Sequence, residues 1–439
     1  MKKPLTLSMC VFSIAVFTLL WFLVPVRALA LTEEFTVNGL KVILKQNPGN
    51  EVVAASLYIR GGVFNLTPAT AGIEPLLFDV AVKGTKKFSK EVINAEMARM
   101  GTQINGNASK DYSGVNLRCI KPNFDKSWDI FADVLLNPTL DPKEVELSRA
   151  QALTGLRQRR DNPDSYLRDI GDSLFYEGHP YAVDPSGTVE SMSKISADQM
   201  RQYLKDNLVT SKLLLVVVGD IERADLEKKV ASAFGGLPVG DYTPQYPAMV
   251  SHAKSELHTV AQQMPTNYIL GYFSAPSIRD ADYYPMSMAM SILQQREFEE
   301  VRTKRNLSYA PSAYYQNQFA NCGNIYVTAV KPDTTIKVML GEAKRLQTEL
   351  ISPKELRDKI TVFLTSYYLQ TETNAAQASF LARYELAGLG WQASEKFVEN
   401  MKKVTPDDVK RVAQEYIKDI QFVVVGDPAK IDEKVFTSM

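Results

Sequence analysis

Ile195-Ser-Ala-Asp-Gln-Met-Arg-Gln-Tyr203 leads into Leu213-Leu-Leu-Val-Val-Val-Gly219-Asp220. The same order returns as Val404-Thr-Pro-Asp-Asp-Val-Lys-Arg-Val412 leading into Phe422-Val-Val-Val-Gly426-Asp427. Each copy opens with an apolar residue and a Ser/Thr N-cap, Ser196 or Thr405, three positions ahead of Gln199 or Asp408. That spacing is a capping box, with a shorter acid in the second copy. Each helix then runs into an apolar strand with no polar alternation, closed by Gly-Asp. Such a strand is covered on both faces or lies mid-sheet. Gly219 and Gly426 stand 207 positions apart, close to half of the 409 residues that follow Ala30, so the chain reads as a duplication.

Working outward, breakers cluster at Gly235-Gly236-Leu237-Pro238-Val239-Gly240, Pro244 and Pro247. Residues 235–250 are therefore expected to link two similar α+β domains, 31–234 and 251–439. Val52 to Tyr58 reads as a strand ending at Gly61-Gly62, and Val115, Leu117 and Cys119 alternate as on a half-buried strand. Trp128, Phe131, Val134 and Leu135 take helical spacing until Pro138 stops them.

Composition narrows the function. The 439 residues are 45% hydrophobic and 23% charged, which suits a packed protein and excludes disorder, collagen, coiled coil and a disulfide scaffold. Fifty basic and fifty acidic side chains leave no basic surplus for a nucleic-acid partner. One long apolar run exists, Leu5 to Val26, after Lys2 and Lys3 and before Val26-Arg27-Ala28-Leu29-Ala30. This order resembles a secretory signal peptide, residues 1–30, cleaved after Ala30. The chain is then expected to be exported or periplasmic. Left uncleaved, the run is long enough to anchor it in a membrane. Beyond the run only Cys119 and Cys322 remain, expected as small buried thiols.

No G-x-S-x-G, Walker loop or C-x-x-C occurs. The three histidines are His179, His252 and His258. His179, in Gly178-His-Pro-Tyr181, is expected to be a hydrogen-bonded structural residue. His252 and His258, six apart, do not share a helix face and are expected at the surface.

Six stretches in order resemble the pitrilysin/insulinase family of zinc peptidases, in its form with two homologous domains per chain. They are Gly72-Ile-Glu-Pro-Leu-Leu-Phe-Asp-Val-Ala-Val-Lys-Gly-Thr85, Gly101-Thr-Gln-Ile-Asn105 through Asp111-Tyr112, Asp161-Asn-Pro163, Gly178-His-Pro-Tyr181, Gly219-Asp220, and Arg302 to Tyr309. The resemblance implies two homologous domains, each a mostly antiparallel sheet packed with helices. It also implies an edge strand, Gln103, Ile104, Asn105 and Gly106, beside the active site.

The family's H-x-x-E-H helix binds zinc through two histidines on one face, and its glutamate activates the bound water. Registered on Lys83-Gly84-Thr85, those positions carry Pro75, Phe78 and Asp79, and the distal glutamate ligand falls on Gly155. The expectation is a chain that holds no metal of its own. In the second domain, Arg302 and Tyr309, seven apart, resemble the family's Arg–Tyr pair, which reaches over a zinc site on the facing half of the assembly. The resemblance implies that they stabilise an oxyanion and hold the substrate backbone in line. The plain alternative is a surface ion pair for Arg302 and core filler for Tyr309. Where the family usually has a glycine- and serine-rich turn, this chain has Gln294-Gln295-Arg296 and is several residues shorter, so a loop of altered shape is expected there.

Zinc positions lost and an Arg–Tyr pair kept point to a non-catalytic subunit of a heterodimeric peptidase. Its expected partners are a homologous zinc-bearing chain and a peptide that adds as a strand to a sheet edge. The alternatives are a stand-alone peptide-binding or scaffold pseudo-peptidase and a purely structural assembly protein.

Overall fold

The computed structural model describes residues 31–439, and the expected signal segment 1–30 lies outside them. In the first half, β1 (Thr32–Val37), β2 (Leu40–Gln46), β3 (Val52–Arg60), β4 (Gln103–Ala108), β5 (Tyr112–Ile120) and β6 (Leu213–Gly219) form one sheet, ordered β1-β2-β6-β3-β5-β4. In the second, β7 (Glu256–Ala261), β8 (Asn267–Ser274), β9 (Ser312–Tyr315), β10 (Cys322–Ala329) and β11 (Gln421–Gly426) are ordered β7-β11-β8-β10-β9. Only β2 with β6 and β7 with β11 pair in parallel; every other ladder is antiparallel. The two halves are thus one α+β diagram drawn twice, with β1 as the first half's addition. Between Phe234 and Glu256 the chain forms no helix or strand.

Local chemistry sets the elements. Ser196 and Thr405 make reciprocal capping boxes with Gln199 and Asp408 at the starts of helices Ala197–Asn207 and Pro406–Tyr416. Each box satisfies amide groups that the first turn leaves without a partner. Helices Pro142–Asp161 and Pro353–Gln370 correspond by position, and each begins with proline behind a capping Asp141 or Ser352.

The all-apolar strands have a specific cause. Leu213, Leu215 and Val217 of β6 face the first half's own helices, with Trp128, Phe131 and Phe234. Leu214, Val216 and Val218 face the other way, onto Ala378, Leu381 and Ala382 of helix Asn374–Leu386, which belongs to the second half. The second sheet repeats the arrangement. Phe422 and Val424 of β11 face its own helices. Val423 and Val425 face Leu167 and Phe175 of helix Pro163–Phe175, from the first half. Each half therefore lends one helix to cover the other's sheet. Gly171 lets the lent helix approach, because a Cβ there would strike the Tyr272 ring.

Polar contacts fix both joints. At one, Glu385 accepts from Lys41 at 3.0 Å, and Trp391 Nε1 donates to Glu34 at 2.7 Å. At the other, the Tyr272 hydroxyl donates to Asp172 at 2.9 Å and Phe319 N–H to Asp111 at 3.2 Å. Cys119 and Cys322 are free, buried thiols. Among the described residues no helix is long and apolar enough to cross a membrane.

Candidate functional site

The helix Ile73–Ala81 carries Pro75, Phe78 and Asp79, and packs beside the edge strand β4 and helix Pro142–Asp161, which carries Gly155. Phe78 is only 4% exposed and lies in the core. Its ring sits against Gly106 of β4, where a Cβ would fall well inside van der Waals distance of it. Asp79 is exposed and paired with Lys83 Nζ at 2.7 Å, and that ammonium also donates to Ser148 Oγ at 2.6 Å. Nothing lies within 4 Å of a Cβ built on Gly155.

These residues do not fit zinc. Proline, phenylalanine and glycine offer no donor, and the one carboxylate is neutralised by a lysine, so no metal-borne step follows in this half. Among the described residues no group of three or more His, Cys, Asp and Glu side chains is placed to hold a metal ion.

One residue before Pro75, Glu74 is fully buried. One of its oxygens accepts from Ser113 Oγ at 2.7 Å and from the Tyr203 hydroxyl, while Oε2 has no partner. Burial pushes its carboxyl up to about 7, against the hydrogen bonds from Tyr203 and Ser113 that pull it down. The group ties the helix to β5 and to helix Ala197–Asn207. Sequence reading passed over it because an acid in a first helical turn is ordinary.

The stretch Gly101 to Tyr112 splits into an edge strand and a hairpin whose Tyr112 opens the inner strand β5. In β4, Gln103, Asn105 and Gly106 are exposed and Ile104 is buried. Among the described residues β4 pairs with β5 alone, and its other edge bonds to no segment.

The second half holds a different constellation. Helix Tyr283–Glu297 continues straight through Gln294-Gln295-Arg296 into a π-helical turn, Phe298–Thr303, so the expected altered loop is not a loop. Gln, Arg and Glu favour helix where glycine would break it. Arg302 lies in that turn. Its guanidinium carbon is 4.0 Å from the Tyr309 ring centroid and 4.8 Å from that of Phe298. Tyr309 is 78% exposed, so it is not core filler, and among the described residues Arg302 forms no ion pair. The structure thus brings Arg302 and Tyr309 together with their polar edges uncommitted. Phe298 was not singled out in the sequence, although its place four residues before Arg302 on a helix was a usable signal.

Glu297, at the end of the same helix, is wholly buried with both oxygens unpartnered. Burial first, and then Glu342, hold it protonated well above the usual carboxylate range. A cleft of about 950 Å³ lies between helices Pro142–Asp161 and Pro163–Phe175 on one side and β9 on the other. Its carboxylates are paired: Asp172 with Lys110 at 2.6 Å, and Asp169 and Asp184 with Arg159. Sequence reading had no handle on this cleft.

The histidines are structural or peripheral. His179 accepts from Tyr181 N–H at 3.1 Å and its other ring nitrogen meets the Ala248 carbonyl at 3.1 Å. His258 is exposed on β7. His252 departs from expectation. It is partly buried, bonded to the Phe175 carbonyl at 3.1 Å and packed on the Phe175 ring, because the chain after residue 250 folds back onto the lent helix.

Comparison with known proteins agrees with this geometry. A crystal structure of a peptidase M16 inactive domain from Pseudomonas fluorescens superposes with a TM-score of 0.83 at 20% identity, covering 90% of this chain and 98% of that one. A protease from Helicobacter pylori gives 0.83 at 18% identity, over 91% of this chain and all of its own. Among sequences, a mitochondrial-processing peptidase subunit beta from Blastocladiella emersonii is 23% identical over 409 residues, 89% of this chain and 87% of its own length. An uncharacterized zinc protease from Bacillus subtilis is 23% identical over 394 residues, 86% and 93%. The family model described as Insulinase (Peptidase family M16) matches residues 41–184, and that described as Peptidase M16 inactive domain matches 194–362. With both models of one family matched in order along the chain, and with the fold of a solved member over 90% of it, the chain belongs to the insulinase family of peptidases, as a member without an H-x-x-E-H motif.

Proposed function

We propose that this chain is the non-catalytic subunit of an exported, heterodimeric zinc peptidase. It supplies Arg302, Tyr309 and half of the peptide chamber to a homologous partner, which holds the zinc and the general base. The observation that carries this reading is an asymmetry. The former metal positions are filled by Pro75, Phe78, a lysine-paired Asp79 and Gly155, while Arg302 and Tyr309 stay together with their donors free. Several relatives are named as subunits of a mitochondrial-processing peptidase, which supports work in a two-chain assembly.

In that assembly the partner's zinc would supply Lewis acidity and activated water. The roles of this chain's residues follow from their donors. Arg302 N–H groups and the Tyr309 hydroxyl donate to the oxygen that gains charge as the peptide carbonyl becomes tetrahedral. Before that, Arg302 holds the same carbonyl, which orients the bond to be cut. The β4 edge, with exposed Gln103, Asn105 and Gly106, offers backbone donors and acceptors to an extended peptide. That open edge alone also favours a second reading, a peptide-binding pseudo-peptidase without a proteolytic partner.

The test is co-expression with a like-sized homologue carrying an intact H-x-x-E-H, followed by zinc analysis and peptide cleavage. One zinc per pair, and cleavage by the pair but by neither chain alone, are expected. A partner chain fully active by itself, or a pair that never forms, would refute the subunit reading.

A further inference from the structure

We infer that Gln294 and Phe298 are positioning residues for the Arg302–Tyr309 pair, holding both side chains in one preformed arrangement from opposite sides. The inference rests on the role proposed above for that pair. Its first observation is Gln294. Its Oε1 accepts from Ala313 N–H at 2.6 Å and its Nε2 donates to the Pro311 carbonyl at 3.5 Å. A side-chain amide carries the same donor and acceptor as a peptide unit. Gln294 therefore binds the start of β9 much as a neighbouring strand would, and pins the segment that follows Tyr309 to helix Tyr283–Glu297.

The second observation is the stack. The Arg302 guanidinium lies over both the Phe298 and the Tyr309 ring, at 4.8 Å and 4.0 Å from their centroids. Among the described residues no carboxylate pairs with it, so no ion pair orients it. The nearby acids are engaged elsewhere: Glu300 with Lys304 at 2.7 Å and with Arg305, and Glu299 with Lys304 at 3.0 Å. An arginine without an ion pair otherwise spreads over many rotamers. Contact with two aromatic faces restricts the orientations it can take.

The backbone beneath is also fixed. Phe298 and Arg302 share the π-helical turn, a rare geometry that frequently sits at functional sites. Leu307 N–H bonds the Val301 carbonyl at 2.9 Å and closes the loop that returns to Tyr309. Gln294 thus sets the backbone after Tyr309, and Phe298 restricts the orientation of Arg302. The unbroken run of helix Tyr283–Glu297 into that turn is what brings both to the pair. Preformed donors need no reorganisation as charge develops, which is where they act most strongly.

The test uses the reconstituted two-chain complex. Phe298→Ala and Gln294→Leu should each lower kcat by about 10–10²-fold, the scale of small misplacements in a reacting site, with zinc content and pairing unchanged; Phe298→Ala should also raise KM, because it frees Arg302. Phe298→Tyr keeps the aromatic face and should restore the rate. Gln294→Glu keeps the acceptor for Ala313 and should recover most of it. In the isolated chain, Gln294→Leu should speed exchange of the Ala313 amide at least tenfold, a readout independent of any partner. Wild-type kcat in both variants, or an effect on KM alone, would overturn the inference. Tyr309→Phe runs beside them. If it too leaves kcat unchanged, the proposed role of the pair fails rather than its positioning.

Discussion

The two halves share one strand diagram and differ at its rim. In the first sheet the outer edge of strand β4 bonds to no described segment, and the adjoining helix sends Phe78 onto the face of the strand, over Gly106. In the second sheet the equivalent edge strand β9 is closed by Gln294, reaching from the equivalent helix. The same architecture therefore gives one edge that can accept a strand and one that is already capped. A duplicated fold need not keep duplicate surfaces. Here the first half has an open edge, while the second has a capped edge and carries Arg302 against Tyr309.

Five measurements would break or sharpen that contrast, the largest effect first. Tyr309→Phe and Arg302→Ala should each lower turnover of the mixed complex by about 10²–10³, the cost of one lost oxyanion donor. Arg302→Ala should also raise KM. Asp79→Asn in the first half should leave turnover unchanged, and equal losses from the two halves would erase the asymmetry.

The second concerns Glu74. Its carboxyl is raised from about 4.5 in the unfolded chain to about 7 in the folded one, so the native state holds a proton that the unfolded chain releases. That contribution is fully present below pH 4.5 and lost as pH rises through 7. The shift corresponds to a loss on the order of 3 kcal/mol between pH 4.5 and pH 8. Asp111, raised to about 6 first by burial, acts in the same direction. Glu74→Gln should flatten denaturant-midpoint curves across this window, and an unaltered pH dependence would show that Glu74 is not their source.

Third, Gly106→Ala should destabilise by about 1–3 kcal/mol, because the new methyl meets Phe78 at its backbone-anchored end. The same change at exposed Gly155 should be near neutral or slightly stabilising, as expected within a helix. Fourth, Glu297→Leu should stabilise the chain by about 1–2 kcal/mol, since it removes two buried oxygens without partners. If it destabilises instead, Glu297 has a partner in solution. Smallest of all, a chelator should leave the melting temperature of the isolated chain unchanged, and a clear drop would mean that it carries a stabilising metal.

Much of this was legible before the structure. The capping boxes at Ser196 and Thr405 and the unbroken apolar runs of β6 and β11 announce the duplication, because both patterns are local. The reading of Pro75, Phe78 and Gly155 is local too, since none of the three residue types has a side-chain lone pair to offer a metal. What was not legible depends on which surfaces meet. An apolar run shows that both faces of β6 are covered, but not that a helix of the other half covers one of them. Gln294 reads as a departure from a glycine-rich turn, and only its side-chain bond to Ala313 reveals a cap. The stacking of Arg302 on Phe298 and Tyr309 needs the π turn, which no hydrophobic period encodes. His252 was misplaced for the same reason, since its burial comes from the fold-back onto Phe175.

The exchange of covering helices also bears on how the chain comes into being on the ribosome. When β6 has been made, one face of the first sheet still waits for helix Asn374–Leu386, about 150 residues further on. At ordinary elongation rates that interval is about 8–30 s. For that time a row of Leu214, Val216 and Val218 stands bare beside Ile43 and Tyr58, an adhesive surface on a nascent chain. A fragment cut in the 235–250 segment should precipitate when expressed by itself and dissolve when its missing half is supplied in trans.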